Sequence, residues 1–209
     1  MRKENTIHQQ FTNFMQQMAI QSVYAPIFYQ ARYALRFEMG VGRPIDEKDQ
    51  FIFSYFQNAR QRARELFQAL GPFDILRIDL RVGTINDKLF TQYVESIGLS
   101  SETETQLITY KDDGYKYLIK AYYWYLPDFN LDVEKLFEDI LYTDFRKPHF
   151  LAGNVYFLNS QAKLLYHLYD DRGLDLVATN KATLKPIYQQ YHQWLLDYDR
   201  KAMQEIFEK

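Results

Sequence analysis

The residues best suited to chemistry stand together in the stretch 167–172. Two adjacent carboxylates, a phenol and an imidazole can transfer protons, and carboxylates also bind divalent cations. A guanidinium follows them, and this planar cation can clamp a carboxylate or a phosphate. The candidate binding residues of this stretch are His167, Tyr169, Asp170, Asp171 and Arg172.

The same stretch also has a structural interpretation. Side chains of adjacent turn residues usually diverge, whereas catalytic carboxylates must converge with groups from elsewhere in the chain, which no motif locates. A second acidic pair, Asp112 and Asp113, stands before Gly114 in what we predict to be an ordinary hairpin turn over 111–114. We therefore favour architecture or docking for the turn and assign no catalytic residue.

Arg172 has two expected roles. Its guanidinium could clamp an external carboxylate or phosphate, or it could tie the turn to the last helix through Asp197 or Asp199. Both of these aspartates are candidate binding residues for that reason.

The element before the turn must be a strand. From Lys163 to Tyr169 apolar and aromatic side chains occupy both alternating faces, which is typical of a central strand buried on both sides. The two aspartates can accept hydrogen bonds from the backbone ahead of them, and Gly173 can take a positive φ before an apolar run resumes at Leu174. The pattern predicts a β-hairpin.

The remaining elements alternate between helical and strand periodicity. Strands are predicted around 33–39, 76–82, 106–110, 115–125 and 155–157, and helices around 6–21, 52–70, 86–97 and 130–142, with a loop from Arg146 to Gly153. A long C-terminal helix follows from an N-cap at Thr183. The sequence therefore predicts a single α+β domain, with a mainly antiparallel sheet of five to seven strands and helices packed against it.

Arginines alternate with apolar residues on two of these strands. If the strands were neighbours, Arg32, Arg36, Arg77 and Arg81 would share a solvent face beside Asp79. That face would consist either of ordinary solvated positions or of a phosphate-binding patch.

The last third of the chain resembles a known family. The Tyr-Asp-Asp-Arg-Gly turn at 169–173 is followed by an apolar strand and by the run Trp-Leu-Leu-Asp-Tyr-Asp-Arg at 194–200. This pattern resembles a bacterial family catalogued only as a domain of unknown function. The resemblance implies one compact domain of a bacterial cytosolic protein, and it implies no activity.

Composition limits the classes of function. The chain has 209 residues, 47% of them hydrophobic, which is enough for one core. It has no cysteine, no secretion signal in its first residues and no apolar run of the roughly 18 to 20 residues that a membrane span needs, so we expect a cytoplasmic protein without a membrane partner. The formal net charge of −2 gives no bulk attraction for nucleic acid.

Motifs for cofactors are missing from the sequence. The histidines at positions 8, 149, 167 and 192 lack metal-ligand spacing, and no glycine-rich nucleotide loop or nucleophile elbow occurs. We expect no cofactor and no metal. His167, on a strand face, is expected to be a hydrogen-bonded core residue.

Two functional hypotheses follow. The first is a non-catalytic protein-binding module, concretely an immunity-type partner that occludes a toxin or an enzyme, because the chain is small, slightly acidic and rich in tyrosine. The second is a hydrolase-like enzyme that acts on a phosphorylated or nucleic-acid substrate through Asp170, Asp171 and Arg172. The expected partner is another protein, and the oligomeric state stays open.

Overall fold

The computed structural model describes residues 6–23, 26–84, 86–112, 114–145 and 153–209. Its strands are β1 (Ala34–Glu38), β2 (Ile75–Arg81), β3 (Glu104–Asp112), β4 (Tyr115–Tyr125), β5 (Gly153–Asn159), β6 (Leu164–Leu168) and β7 (Gly173–Ala178). Its helices are α1 (Ile7–Gln17), α2 (Phe53–Leu70), α3 (Asp87–Ser96), α4 (Val133–Leu141), α5 (Lys181–Gln190) and α6 (Arg200–Phe207). The predicted α+β class with an antiparallel sheet is confirmed. Residues 146–152 of the predicted loop and residue 113 of the predicted turn lie outside the described residues. Gly153, the predicted end of that loop, is the first residue of β5.

All seven strands form one antiparallel sheet in the order β1-β7-β6-β5-β2-β4-β3. The strand β6 lies inside this sheet, and all five of its residues are buried. The prediction of a doubly buried strand before the charged turn is therefore confirmed. It holds because both faces of β6 carry large apolar side chains.

Helices cover both faces of the sheet, so the core has three layers. On one face the Tyr166 hydroxyl donates to the carbonyl of Ala63 in α2, at 2.9 Å, and Phe67 of α2 packs edge-on against Tyr166. On the opposite face Phe11 of α1 contacts the rings of Tyr123 and Tyr156. The buried side chains of both layers belong to one hydrophobic cluster.

The predicted single C-terminal helix is two shorter helices, α5 and α6. Asn180, not Thr183, is the N-cap of α5, since its carboxamide accepts from the Thr183 N–H at 2.9 Å. The α-helix ends at Gln190, and two short 3-10 helices follow at His192–Trp194 and Asp197–Asp199. Between them the chain pairs with the outer edge of β1, where the Leu196 N–H donates to the Arg36 carbonyl at 2.9 Å. A continuous helix could not make this bond.

The predicted solvent face of β2 is wrong for Arg77 and Asp79, whereas Arg81 at the end of the strand is exposed. Arg77 and Asp79 are buried because β2 lies between β5 and β4 and helices cover both faces of the sheet. Their side chains pair through two hydrogen bonds of 2.7 and 2.8 Å. Three strands separate β1 from β2, so Arg36 and Arg77 do not share an exposed patch.

In the part of the chain that the structure describes, no helix is both long enough and apolar enough to cross a bilayer.

Candidate functional site

The charged turn between β6 and β7 is closed by its own hydrogen bonds. The Asp170 carboxylate accepts from the backbone N–H of Arg172 at 2.8 Å and from its Nε at 2.9 Å. The guanidinium of Arg172 therefore folds back on Asp170, with Asp144 as a further contact at 3.9 Å. The arginine side chain is nevertheless 71% exposed.

Asp171 ties the turn to α2 and to the end of β1. Its buried carboxylate accepts from the Tyr55 hydroxyl at 2.8 Å. Its backbone carbonyl accepts from Gly40 N–H at 2.9 Å, and the neighbouring Arg172 carbonyl accepts from Met39 at 3.0 Å. Burial raises the pKa of Asp171, and the hydrogen bond from Tyr55 opposes this rise. The acids of the turn thus hold three elements together, which favours the structural interpretation.

Three carboxylates meet beside the turn. Asp144, Asp170 and Asp171 each offer one oxygen, and these oxygens lie within 4.8 Å of one another. Oxygen ligands suit a hard divalent cation. However, the Asp170 carboxylate already accepts a hydrogen bond from Arg172, and the Asp171 carboxylate accepts one from Tyr55. The negative charge of the cluster is therefore partly neutralised by the Arg172 guanidinium.

Gly173 is required for a different reason from the predicted one. Among the described residues, positive φ values of glycine occur at positions 42, 83, 98 and 114, and Gly173 takes none. Instead the Tyr169 ring lies over it, and a Cβ at position 173 would stand 1.8 Å from the Tyr169 hydroxyl oxygen. Close packing of the aromatic ring therefore selects glycine.

A buried ion pair lies on the sheet face beside the turn. Asp175 of β7 stands directly opposite Arg36 of β1 and His167 of β6. The Nε and Nη2 atoms of Arg36 donate to the two oxygens of Asp175 at 2.7 and 2.9 Å. The rings of Phe28 and Tyr29 flank the guanidinium at 4.7 and 4.8 Å. The pair is desolvated and geometrically fixed.

The candidate aspartates of the last helix do not reach the turn. Asp199 contacts Arg36 Nη1 at 3.4 Å and accepts from the Tyr29 hydroxyl at 3.1 Å. Asp197 pairs with Arg200 at 2.8 Å. The expected bond from Arg172 to either residue is absent among the described residues, because the segment around 195 turns away to pair with β1.

The ion pair of Arg36 and Asp175 belongs to a row of polar and aromatic side chains that crosses every strand of the sheet. Register and ring contacts place them side by side on one sheet face, which α1 covers in part. From β3 to β1 the row consists of Glu104, Tyr123, Arg77, Tyr156, His167, Asp175 and Arg36.

His167 has no hydrogen-bond partner among the described residues, which is contrary to the expected bonded core histidine. Its side chain is 7% exposed and stacks on Tyr156 with a centroid distance of 4.3 Å. Neither ring nitrogen is bonded within the described part of the chain. Burial, with a smaller contribution from the charge of Arg36, lowers the pKa of His167 to about 3. The imidazole is therefore neutral at physiological pH.

A cavity of about 300 Å³ lies against this histidine. Its lining residues are Val23, Pro26, Arg36, Asn154, His167, Tyr169 and Asp175. Sequence patterns identified His167 and Tyr169 but missed Asn154, Arg36 and Asp175 as members of one site. One signal in the sequence could have found this site. Asp175 stands in the middle of the otherwise apolar strand β7, and a buried charge needs an oppositely charged or hydrogen-bonding partner.

A second candidate surface lies at the far edge of the sheet, on the β3–β4 hairpin. Leu107 is 64% exposed and Leu118 is 43% exposed. The strand β3 has β4 as its one neighbour among the described strands. Alternation and register place five side chains on one side of this hairpin, which we call the hairpin face: Leu107, Lys111, Lys116, Leu118 and Lys120.

Comparisons with known proteins agree with the resemblance in the sequence. A profile of the family described as "Domain of unknown function (DUF3885)" matches residues 8–199. The "Uncharacterized protein YnaE" of Bacillus subtilis (strain 168) is 33% identical over 45 residues, which make up 22% of this chain and 21% of that protein. The match thus spans about a fifth of that relative's length. No solved structure matches the chain.

Proposed function

The chain belongs to the DUF3885 family of domains of unknown function, and from this premise we propose that it is a non-catalytic protein-binding module. The observation that carries the proposal is the hairpin face, where Leu107 and Leu118 are exposed beside an open sheet edge. An edge strand of nine residues offers a row of backbone groups to an incoming strand. Alternate side chains then select which segment is accepted.

The charges of the hairpin face specify the chemistry of the partner. Lys111 and Lys116 stand directly opposite each other on β3 and β4. Like charges in this position destabilise a sheet, and an acidic side chain beside Lys111 on a strand added at the β3 edge would offset the repulsion. Lysines at an edge also deter unspecific strand pairing. The favoured partner is an extended segment that alternates apolar and acidic residues.

The most concrete form of this proposal is an immunity-type partner that occludes a toxin or an enzyme in the cytoplasm. The partner would contribute the acidic strand, and the module would cover the active site of the partner. A chain with 18 tyrosines and no cysteine suits such a role, because tyrosine supplies large contacts and the fold needs no oxidising compartment.

The proposal can be tested with a displayed library of nine-residue peptides selected on the wild-type protein. We expect enriched peptides to alternate apolar and acidic residues. The substitution Lys116→Glu should weaken their binding about tenfold or more, because the new carboxylate faces Lys111 and neutralises the cation that attracts the acidic side chains. Leu107→Glu should weaken it similarly by removing an apolar anchor. The matched control Lys201→Glu reverses the charge of an exposed lysine on α6 and should leave binding unchanged.

Peptides that bind all three variants equally would contradict the hairpin face as the docking site. The immunity-type form has its own test, which is co-expression of the protein with the products of neighbouring genes. Relief of growth arrest by the wild-type protein but not by Lys116→Glu is the expected result. Relief that is identical for both proteins would contradict it.

A further inference from the structure

The cavity against His167 contains unused hydrogen-bonding groups. The side chains of His167, Tyr169 and Asn154 line it, and none donates to or accepts from another described residue. The two ring nitrogens of His167 are buried as well as unpaired among the described residues, and native proteins rarely retain such atoms without a function. The cluster therefore indicates a site whose missing partner is a ligand.

The charges around the cavity exclude an anionic ligand. Arg36 is the positively charged residue of the lining, and its guanidinium already forms ion pairs with Asp175 and Asp199. One positive and two negative formal charges leave no free cation to clamp a carboxylate or a phosphate. A cationic ligand is disfavoured as well, since the oxygens of both aspartates already accept from Arg36 or Tyr29.

The free groups instead match an uncharged ligand. A neutral imidazole offers one donor and one acceptor, and the carboxamide of Asn154 offers both kinds of group. The cavity also has an aromatic wall, because the Tyr169 ring lies 5.5 Å from the imidazole, which itself stacks on Tyr156. Aromatic walls favour flat rings.

We propose that this cavity binds a small, uncharged, planar heterocycle that carries an N–H donor beside a carbonyl acceptor, as nucleobases do. His167 and Asn154 bind its polar edge, and Tyr169 covers its face. Solvent does not reach the ring nitrogens of His167, so the partly exposed Tyr169 ring turns outward to admit the ligand. The volume of about 300 Å³ lies at the lower end of the range for ligand pockets. This site is separate from the hairpin face and does not depend on the protein-binding proposal.

Two probes that share one ring and differ in charge test the proposal. Uracil is the uncharged probe, and orotate is the same ring with a carboxylate. In titrations followed by NMR, uracil should shift the ring signals of His167 and of Tyr169 with saturation, and orotate should bind about tenfold or more weakly. The Tyr169 signals report binding in variants that lack His167. His167→Phe and Asn154→Ala, which alter two polar residues of the lining, should each weaken uracil binding to a similar extent. Tyr198→Ala, at a residue that is 87% exposed, is the matched control and should bind as wild type does.

The titrations can either support or overturn the proposed site and its ligand class. Saturable shifts that both cavity variants abolish support the site. An unchanged His167 signal at millimolar uracil, or orotate binding as tightly as uracil, would overturn the proposed ligand class. Equal binding by His167→Phe and by the wild type would overturn the location.

Discussion

Replacing His167 by phenylalanine should stabilise the fold at neutral pH. The imidazole is buried with both nitrogens unpartnered among the described residues, and a phenyl ring removes these polar atoms while keeping the stacking on Tyr156. Removing an unsatisfied buried polar group is worth about 1 to 3 kcal/mol. The adjacent cavity of about 300 Å³ gives the slightly larger ring room.

The stabilisation by His167→Phe also depends on pH, and the pKa of His167 determines how large this dependence is. Because burial lowers the pKa of His167 from 6.5 to about 3, the unfolded chain binds one more proton than the folded chain between these two pH values. The free energy of unfolding of the wild type therefore falls as the pH falls through this window, by about 1.4 kcal/mol per pH unit. Between pH 7 and pH 5 the loss that His167 causes is about 2 kcal/mol. The phenylalanine variant lacks this loss.

Urea unfolding of both proteins at pH 7 and pH 5 measures the difference. We expect the advantage of His167→Phe to be about 2 kcal/mol larger at pH 5, with an unchanged dependence on urea. His192→Phe replaces an exposed histidine and serves as the matched control. An advantage of His167→Phe that is the same at both pH values would refute a buried, neutral His167.

Three further predictions concern the turn, the ion pair and the hairpin. Gly173→Ala should lower the free energy of unfolding by about 1 to 3 kcal/mol through overpacking against Tyr169, and it should be nearly neutral in a Tyr169→Ala background, which a double-mutant cycle measures. Arg36→Ala should cost about 3 to 5 kcal/mol, because Asp175, which is 1% exposed, is left unpaired, and denaturant unfolding would show it. Lys116→Glu should raise the free energy of unfolding by about 0.2 to 1 kcal/mol, since it faces a lysine across the hairpin, and a small decrease would argue against that register.

The elements that position the site could be predicted because their signals are local. Alternation over 163–169 showed a doubly buried strand, and the two aspartates with a glycine showed the turn that follows it. The family resemblance rested on this turn and on the run at 194–200, and it is confirmed. Each of these features depends on residues only a few positions apart.

The composition of the cavity could not be predicted, because it depends on strand order. Arg36 meets Asp175 only because the chain returns from β6 to place β7 beside β1, and the sequence separation of this pair is 139 residues. Burial of Arg77 likewise follows from the position of β2 inside the sheet. The pairing of Asp199 was missed because helical periodicity over 184–202 cannot reveal that the backbone near 195 bonds to β1.

Amide hydrogen exchange along β3, with and without a selected peptide, tests the docking proposal most directly. We expect slower exchange in Glu104–Asp112 when the peptide is bound, because the peptide backbone then pairs with the open edge of the sheet. Protection confined to other elements, with exchange in β3 unchanged, would contradict the docking proposal.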